Sequence, residues 1–488
     1  MDTSDITALI GLSISSLIFI LLASRAKTSK FSLLGYTMAD KNISSKQYGS
    51  SFVAASSSLA TVILFFLTNA KFFGLTLLWC GLTYLLGQYL FVRYVRNKDV
   101  IKEDVRTVSD LWFYTVRSKA NSRIITALTI TSFLIILFIE LYVGSIIFGY
   151  FFSSFTPNYG VISFIVVGLI VIYYVRIGGL KAVMQTDGWQ LMLMLVSVTA
   201  VLIFSLLFQS DNGTNFEFSK FISFDAEWKN IFVFCFWILV INISLPFTQL
   251  SSWQRVAACS SGEEVWKGFK SHILKFSIIW FVPVIAFAIL SAKGMNFSDL
   301  GAFLDALKNS KGISELVLYP LIVIGFGSAL FSTADTALIA LTTSLADTNT
   351  FKKKLEKLDV KNLKLFITVI SFIIMLSLAG IFSVAQANVG QWFLPLIYNI
   401  FGQLGIIAPL IIYSLWHLKD EPITLKPIGN WIISISILLA WFVIVYATFK
   451  AVELDNQLWS QLSTPVGMIL TSIGLFVGLK FKNNTKTQ

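Results

Sequence analysis

The chain has 488 residues, 56% of them hydrophobic and 13% charged, with a mean hydropathy of +0.77. That composition excludes a soluble globular domain and indicates a polytopic membrane protein. The net charge of +11 raises nucleic acid as a partner, but the placement of the basic residues argues against it. Three cysteines (Cys80, Cys235, Cys259) and two histidines (His272, His417) are too scattered for a disulfide framework or a zinc site.

About 20 apolar residues cross a bilayer as a helix. Thirteen such segments are read, at residues 6–22, 48–67, 72–94, 125–152, 160–174, 184–208, 231–250, 273–290, 316–346, 365–382, 392–415, 431–449 and 466–479. The predicted fold is therefore an all-α polytopic membrane protein. The first segment lacks a basic leader and a small-residue cleavage site, so it reads as a retained helix and not as a signal peptide. With the N-terminus placed outside, thirty of the 37 lysines and arginines fall in inside loops. That bias predicts an outside N-terminus and a cytoplasmic C-terminus in a plasma (inner) membrane. Basic runs such as Lys352-Lys353-Lys354 then sit beside the headgroups of the lipid bilayer and do not form a nucleic-acid surface. Residues 108–114 read as a short amphipathic piece on the inner surface. No loop is long enough for a soluble domain, and no Gly-rich phosphate loop is present.

The second segment contains Ala54-Ala55-Ser56-Ser57-Ser58-Leu59-Ala60-Thr61. Small residues here serve either close helix packing or an unwound stretch whose carbonyls and hydroxyls face an ion or solute. Glu140 lies within an apolar segment, where a carboxylate is costly; it is either a functional group or a structural acceptor. At Gly178 to Gln190 a glycine turn and a basic anchor precede a helix with Asp187 in its first turn. Asp187 reads as a dipole-favoured structural acid or as a site residue.

Five segments after the first break, Asn242, Ser244 and Gln249 surround Pro246, which bends or breaks its helix. Paired interruptions in corresponding halves predict an inverted repeat with its binding site at the membrane midplane. Five is odd, so two five-helix units in an alternating chain run antiparallel. The expected division is an extra helix at 1–30, repeats at 31–210 and 211–418, and two peripheral helices at 419–488. In the segment 316–346, Asp335, Ile339 and Thr342 share one helix face. Thr342 and Thr343 either bond their own backbone or face a ligand. Gln391 to Pro395 reads as an outer gate or as interfacial anchors.

The run Gly-Gly-Leu-x-Ala-Val-x-x-Thr-Asp-x-x-Gln, from Gly178 to Gln190, closely resembles the hallmark of the sodium:solute symporter family. Trp253-Gln254-Arg255-Val256-Ala257-Ala258 is similar to that family's loop after its sixth helix, and Ser332-Thr333-Ala334-Asp335-Thr336 resembles its Ser-Thr-Ala-Asp-Ser motif. The resemblance implies a LeuT-like five-plus-five core and sodium-coupled symport of a small-molecule solute by alternating access. It implies a sodium ion held by the carbonyls of Ser56, Leu59 and Ile339 and the hydroxyls of Thr342 and Thr343, with Asp187 on the exit route. A one-residue shift to Ala55 and Ser58 fits the same pattern. Sodium is a hard cation that prefers oxygen ligands, and five neutral oxygens hold it weakly enough to release. Leu345 and Ala346, one turn below the threonine pair, carry no oxygen, so one sodium is expected and not two. Asp347 closes the run one residue early against the family spacing.

Ser58, Glu140 and Asn242 are the candidate solute groups, and Glu140 favours a cationic, zwitterionic or hydroxylated solute. No organic cofactor is implied. Two alternatives stand: proton coupling through Glu140 or Asp335, and a transporter-like sensor or subunit that signals to a partner. An enzyme is not expected, since no nucleophile–base pair or metal cluster is visible.

Overall fold

A chain in lipid has no water to satisfy its peptide groups, so each segment must close its own hydrogen bonds. In the computed structural model the described residues are 3–26, 32–98, 105, 107–152, 159–208, 216–222, 228–295, 297, 299–346, 355, 358–385 and 389–483. Among them the chain forms helices and no sheet. Asp347 and Lys352 to Lys354 lie outside the described residues.

The first helix, α1 (Thr3–Arg25), is followed by the short α2 (Leu33–Met38) and by α3 (Ser45–Ala55). After a three-residue gap a π-helical turn, Leu59–Leu64, leads into α4 (Phe65–Phe73). Next come α5 (Leu78–Lys98), α6 (Val108–Val116), α7 (Lys119–Phe152) and α8 (Tyr159–Leu207). The second half contains α9 (Phe218–Ile222), α10 (Trp228–Thr248), α11 (Leu250–Ala257), α12 (Gly262–Ala292) and α13 (Leu300–Asn309). A π-helical turn, Ser314–Leu318, opens α14 (Tyr319–Ala346). The chain ends in α15 (Val360–Ala385), α16 (Val389–Ile406), α17 (Ala408–Trp416), α18 (Pro427–Glu453) and α19 (Leu458–Leu479).

Eleven helical stretches among the described residues are long and apolar enough to cross a membrane. Two of them hold two passes each. The stretch Leu59–Asn97 turns at Gly74, with φ 41°, and α8 turns at Gly179, with φ 58°. Unbroken, the 49 residues of α8 would extend about 74 Å, more than twice the hydrocarbon thickness. The chain is thus a multi-pass membrane protein with about thirteen passes, in line with the sequence reading. Gly179 is dictated twice over: its positive φ suits glycine, and a Cβ there would lie 2.5 Å from the Tyr36 carbonyl.

Burial ranks the helices. In the stretch ending with α14, 78% of the apolar window is buried, against 28% for α1. A helix apolar on every face belongs inside a bundle, so α14 is the central staff and α1 lies at the rim. The α1 terminus is pinned by Lys308, 2.8 Å from Asp5, and by the Tyr319 hydroxyl. The Lys293 ammonium donates to the carbonyls of Ser205, Leu206 and Phe208 at 2.8–3.0 Å, capping the open end of α8. The stretch expected on a membrane surface, 108–114, is the helix α6. Its Leu111, Trp112 and Val116 are fully buried against the bundle, and so it is docked on protein.

Candidate functional site

Both breaks foreseen from the sequence are present. At the first, α3 ends on Ala55, and Ser56 and Ser57 turn their hydroxyls back onto the Val53 carbonyl at 2.9 and 2.7 Å. Ser58 is extended (φ −55°, ψ 138°), and its hydroxyl accepts from the Thr61 amide at 2.7 Å. Hydroxyls that bond the local backbone compete with the helix ladder, which is why a run of three serines breaks here. No amide among the described residues reaches the carbonyls of Ser56 and Ser57, so these oxygens are free in mid-bundle. Glu140, from α7, lies against the break. It accepts from the Ser58 hydroxyl and from the Ala60 amide at 3.3 Å, while its Oε2 is buried with no partner.

The second break separates α10 from α11 at Gln249, which is extended (φ −81°, ψ 115°). Pro246 lacks the amide that would bond the Asn242 carbonyl one turn back. The side chain of Asn242 bridges to α5, donating to the Cys80 carbonyl at 2.9 Å and Thr83 Oγ1 at 3.0 Å. Helix α5 approaches closely because Gly87 sits there; a Cβ on it would lie 2.1 Å from the Asn242 oxygen.

The two breaks face one cavity of about 820 Å³, counting the space open to solvent. Ser56 and Ser58 line it from the first break, Asn242 and Gln249 from the second, and Thr333 and Thr336 from α14. Seven of the other fifteen lining residues are aromatic. A smaller void shares Ala55, Ser56, Tyr84 and Gln249 with the first and ends at Arg255.

Beyond that void lies a buried polar cluster that ties four elements together. Asp187 of α8 accepts from Ser51 of α3 and, at 2.7 Å, from Ser332 of α14. Arg255 of α11 lies 3.5 Å from Asp187 and donates to Ser51 at 2.8 Å, Thr336 at 2.7 Å and the Ser251 carbonyl at 3.2 Å. Thr336 in turn donates to Asp335, which also accepts from Tyr174 at 2.7 Å. Asp187 and Asp335 are wholly buried and Arg255 is 3% exposed. A lone charge in such a place is costly; here each charge has an opposite partner or hydroxyl donors.

The residues singled out from the sequence separate into groups. Ser56, Ser58 and Asn242 meet at the cavity, and Glu140 stands behind Ser58, outside its wall. Leu59 is buried at the start of the π-helical turn. Thr342 and Thr343 are buried too, yet neither lines the cavity. They follow Thr333 by nine and ten residues, about 14 Å along the axis at 1.5 Å per residue. Thr342 donates toward the carbonyls of Leu338 and Ile339 at 2.9 and 3.1 Å and lies 3.3 Å from the Tyr36 hydroxyl. The Thr343 hydroxyl is buried with no partner. Trp392 packs on Phe449 and is not part of the cavity wall.

Sequence reasoning missed Arg255, which it placed in a loop. The stretch is helical as α11, and Leu250, Trp253 and Ala257 recur at three- and four-residue intervals, the signal of a packed helix face. Thr333 and Thr336 belong to the Ser332–Thr336 motif and Gln249 to the polar groups around Pro246, yet none of the three is among the candidate solute residues of the sequence. A polar residue beside a helix break was the available signal for Gln249.

No protein-family model matches the chain, and no curated protein matches it. Solved structures do. One is a Na+-coupled sialic acid symporter in a substrate-bound outward-open state, with a TM-score of 0.67, 13% identity and 99% of each chain covered. Another is Mhp1, a nucleobase-cation-symport-1 family transporter in a closed conformation, with a TM-score of 0.52 and 12% identity over 91% of this chain and 94% of that one. At this identity the likeness concerns the fold, and the chain has the all-α, LeuT-like architecture with a five-plus-five inverted-repeat core.

Proposed function

We propose that the protein is a secondary active transporter, a member of the sodium:solute symporter family, that couples a small organic solute to sodium by alternating access. The observation that carries this reading is the pair of broken helices, α3–α4 and α10–α11, facing one cavity at the level of their breaks. Unwound backbone at membrane depth is tolerated where it lines a cavity, and its free carbonyls are suited to a hard cation. The sialic acid symporter and the nucleobase-cation transporter of like fold lend support. The repeats are taken as 31–210 and 211–418, with the N-terminus outside, the C-terminus cytoplasmic and the chain in the plasma membrane.

Two ligand sets on α14 are in play for the single sodium ion. One joins the carbonyls of Ser56, Leu59 and Ile339 to the hydroxyls of Thr342 and Thr343; the Thr343 hydroxyl is unpartnered, but the threonine pair lies about 14 Å along α14 from Thr333, which shares the cavity wall with Ser56. The other uses Ser332 and Thr333, which lie at the level of the cavity and of Asp187. In both, Asp187 sits on the path by which sodium leaves. Inward movement of one charge through 100 mV yields about 2.3 kcal/mol. Trp237 and Trp280 line the cavity and report on it. Sodium is expected to change tryptophan emission in a saturable way that potassium does not reproduce. The variant pairs Thr342→Ala/Thr343→Ala and Ser332→Ala/Thr333→Ala decide which set binds. Identical responses to both cations would overturn sodium coupling.

A further inference from the structure

The wall of the cavity bears no acidic and no basic side chain among the described residues. Seven aromatic residues line it, among them Phe65, Tyr84, Trp237, Trp280 and Phe401. Tyr84 and Trp280, both in the wall, stack on each other with centroids 4.9 Å apart and planes 9° apart. A carboxylate or ammonium entering here loses its water and meets no side-chain counter-charge on the wall.

At the first break the backbone amides supply little either. The N-terminal amides of a half-helix attract anionic solute groups in broken-helix transporters. At the first break two of those amides are already engaged. Ala60 donates to Glu140 at 3.3 Å, Thr61 donates to Ser58 at 2.7 Å, and the Ser58 hydroxyl also bonds Glu140. The chain thus fills with its own carboxylate the place that a solute carboxylate would take. A second carboxylate brought there would compete for the same donors. Glu140, expected from the sequence to favour a cationic, zwitterionic or hydroxylated solute, has its carboxylate turned to the break and outside the cavity wall.

Few polar groups remain for a solute. Ser56 bonds the Val53 carbonyl, Thr333 the Ala329 carbonyl, and the Asn242 amide nitrogen the neighbouring helix α5. Among the described residues of the wall, the Gln249 side-chain amide, the Thr61 hydroxyl and the Asn242 side-chain oxygen make no hydrogen bond within the protein. A sugar, with a hydroxyl on nearly every carbon, would bury several unpaired groups here, each at a cost. Gln249 instead offers one donor beside one acceptor.

We propose that the solute is a neutral aromatic or heteroaromatic ring compound carrying an amide- or imide-type donor–acceptor pair, which Gln249 reads, and that Glu140 excludes carboxylated analogues. This rests on the transport reading above and names the solute class of the same site.

The test uses the full-length purified protein and thermal unfolding in sodium and in potassium chloride. The compounds are neutral heteroaromatics matched with their own carboxylates, such as nicotinamide with nicotinate and uracil with orotate, alongside proline and glucose. At least one neutral ring compound raises the unfolding temperature in sodium, and its carboxylated partner binds about ten-fold more weakly or worse. Gln249→Ala loses the neutral compound while keeping the response to sodium alone. Glu140→Gln narrows the gap between a neutral compound and its carboxylate. Hits confined to carboxylates, proline or glucose overturn the proposal, as does no response to any neutral ring compound. If sodium alone still shifts the transition in those cases, the transport reading survives. A neutral ring compound that binds equally in sodium and potassium leaves the solute class standing and removes sodium coupling.

Discussion

The contact between Asp187 and Arg255 makes a quantitative prediction. In Asp187→Leu, Arg255 stays buried at 3% exposure with its bonds to Ser51, Thr336 and Ser251 but without the nearest counter-charge. Breaking one side of a buried pair costs about 3–5 kcal/mol. The three surviving hydrogen bonds place this case at the lower end, about 3 kcal/mol. Arg255→Met leaves Asp187 with the hydroxyls of Ser51 and Ser332, so its cost is similar, about 3 kcal/mol. Replacing both with apolar residues leaves no orphaned charge, and the double variant falls to about 4 kcal/mol at most, a coupling of about 2 kcal/mol. The assay is a double-mutant cycle from reversible unfolding in mixed detergent–SDS micelles. Single effects that add to within about 0.5 kcal/mol would refute the assignment of a coupled pair joining α8 to α11.

Other changes have sharper local causes. Gly179→Ala forces a side chain into a positive-φ position 2.5 Å from the Tyr36 carbonyl and is expected to cost at least about 2 kcal/mol, or to abolish folded protein in a detergent-extraction assay. Ser58→Ala removes a donor to Glu140 and an acceptor for the Thr61 amide; about 2 kcal/mol is lost in the same unfolding assay, and Ser57→Ala, whose hydroxyl serves only the Val53 carbonyl, costs less. Lys293→Met uncaps three carbonyls at the end of α8, with an expected loss of about 1 kcal/mol and faster amide exchange confined to that end.

Some of this was legible in the sequence for local reasons. A bilayer demands about 20 apolar residues per pass, so the passes stood out. The serine run and Pro246 each break a helix by chemistry contained within one turn. The turn at Gly179 was visible as a glycine pair beside a basic anchor. What stayed hidden depends on contacts between distant parts of the chain. Nothing near Asp187 announces that its partners are Ser51, Ser332 and Arg255, which come from three other helices. Glu140 was recognised as costly, but the direction of its side chain is set by how α7 packs against the break. The Thr342–Thr343 pair came from motif alignment along α14. Because the helix rises only 1.5 Å per residue, the offset of nine residues to Thr333 decides whether a hydroxyl reaches the cavity.

Equilibrium binding of radiolabelled sodium to the purified protein, with potassium as competitor, addresses the central claim most directly. Free oxygens at the first broken helix, joined by hydroxyls of α14 in an alkali-ion site, predict saturable binding of one sodium per chain, unaffected by equal potassium and lost in either Ser332→Ala/Thr333→Ala or Thr342→Ala/Thr343→Ala. Absence of saturable sodium binding, or full retention in both double variants, would contradict it.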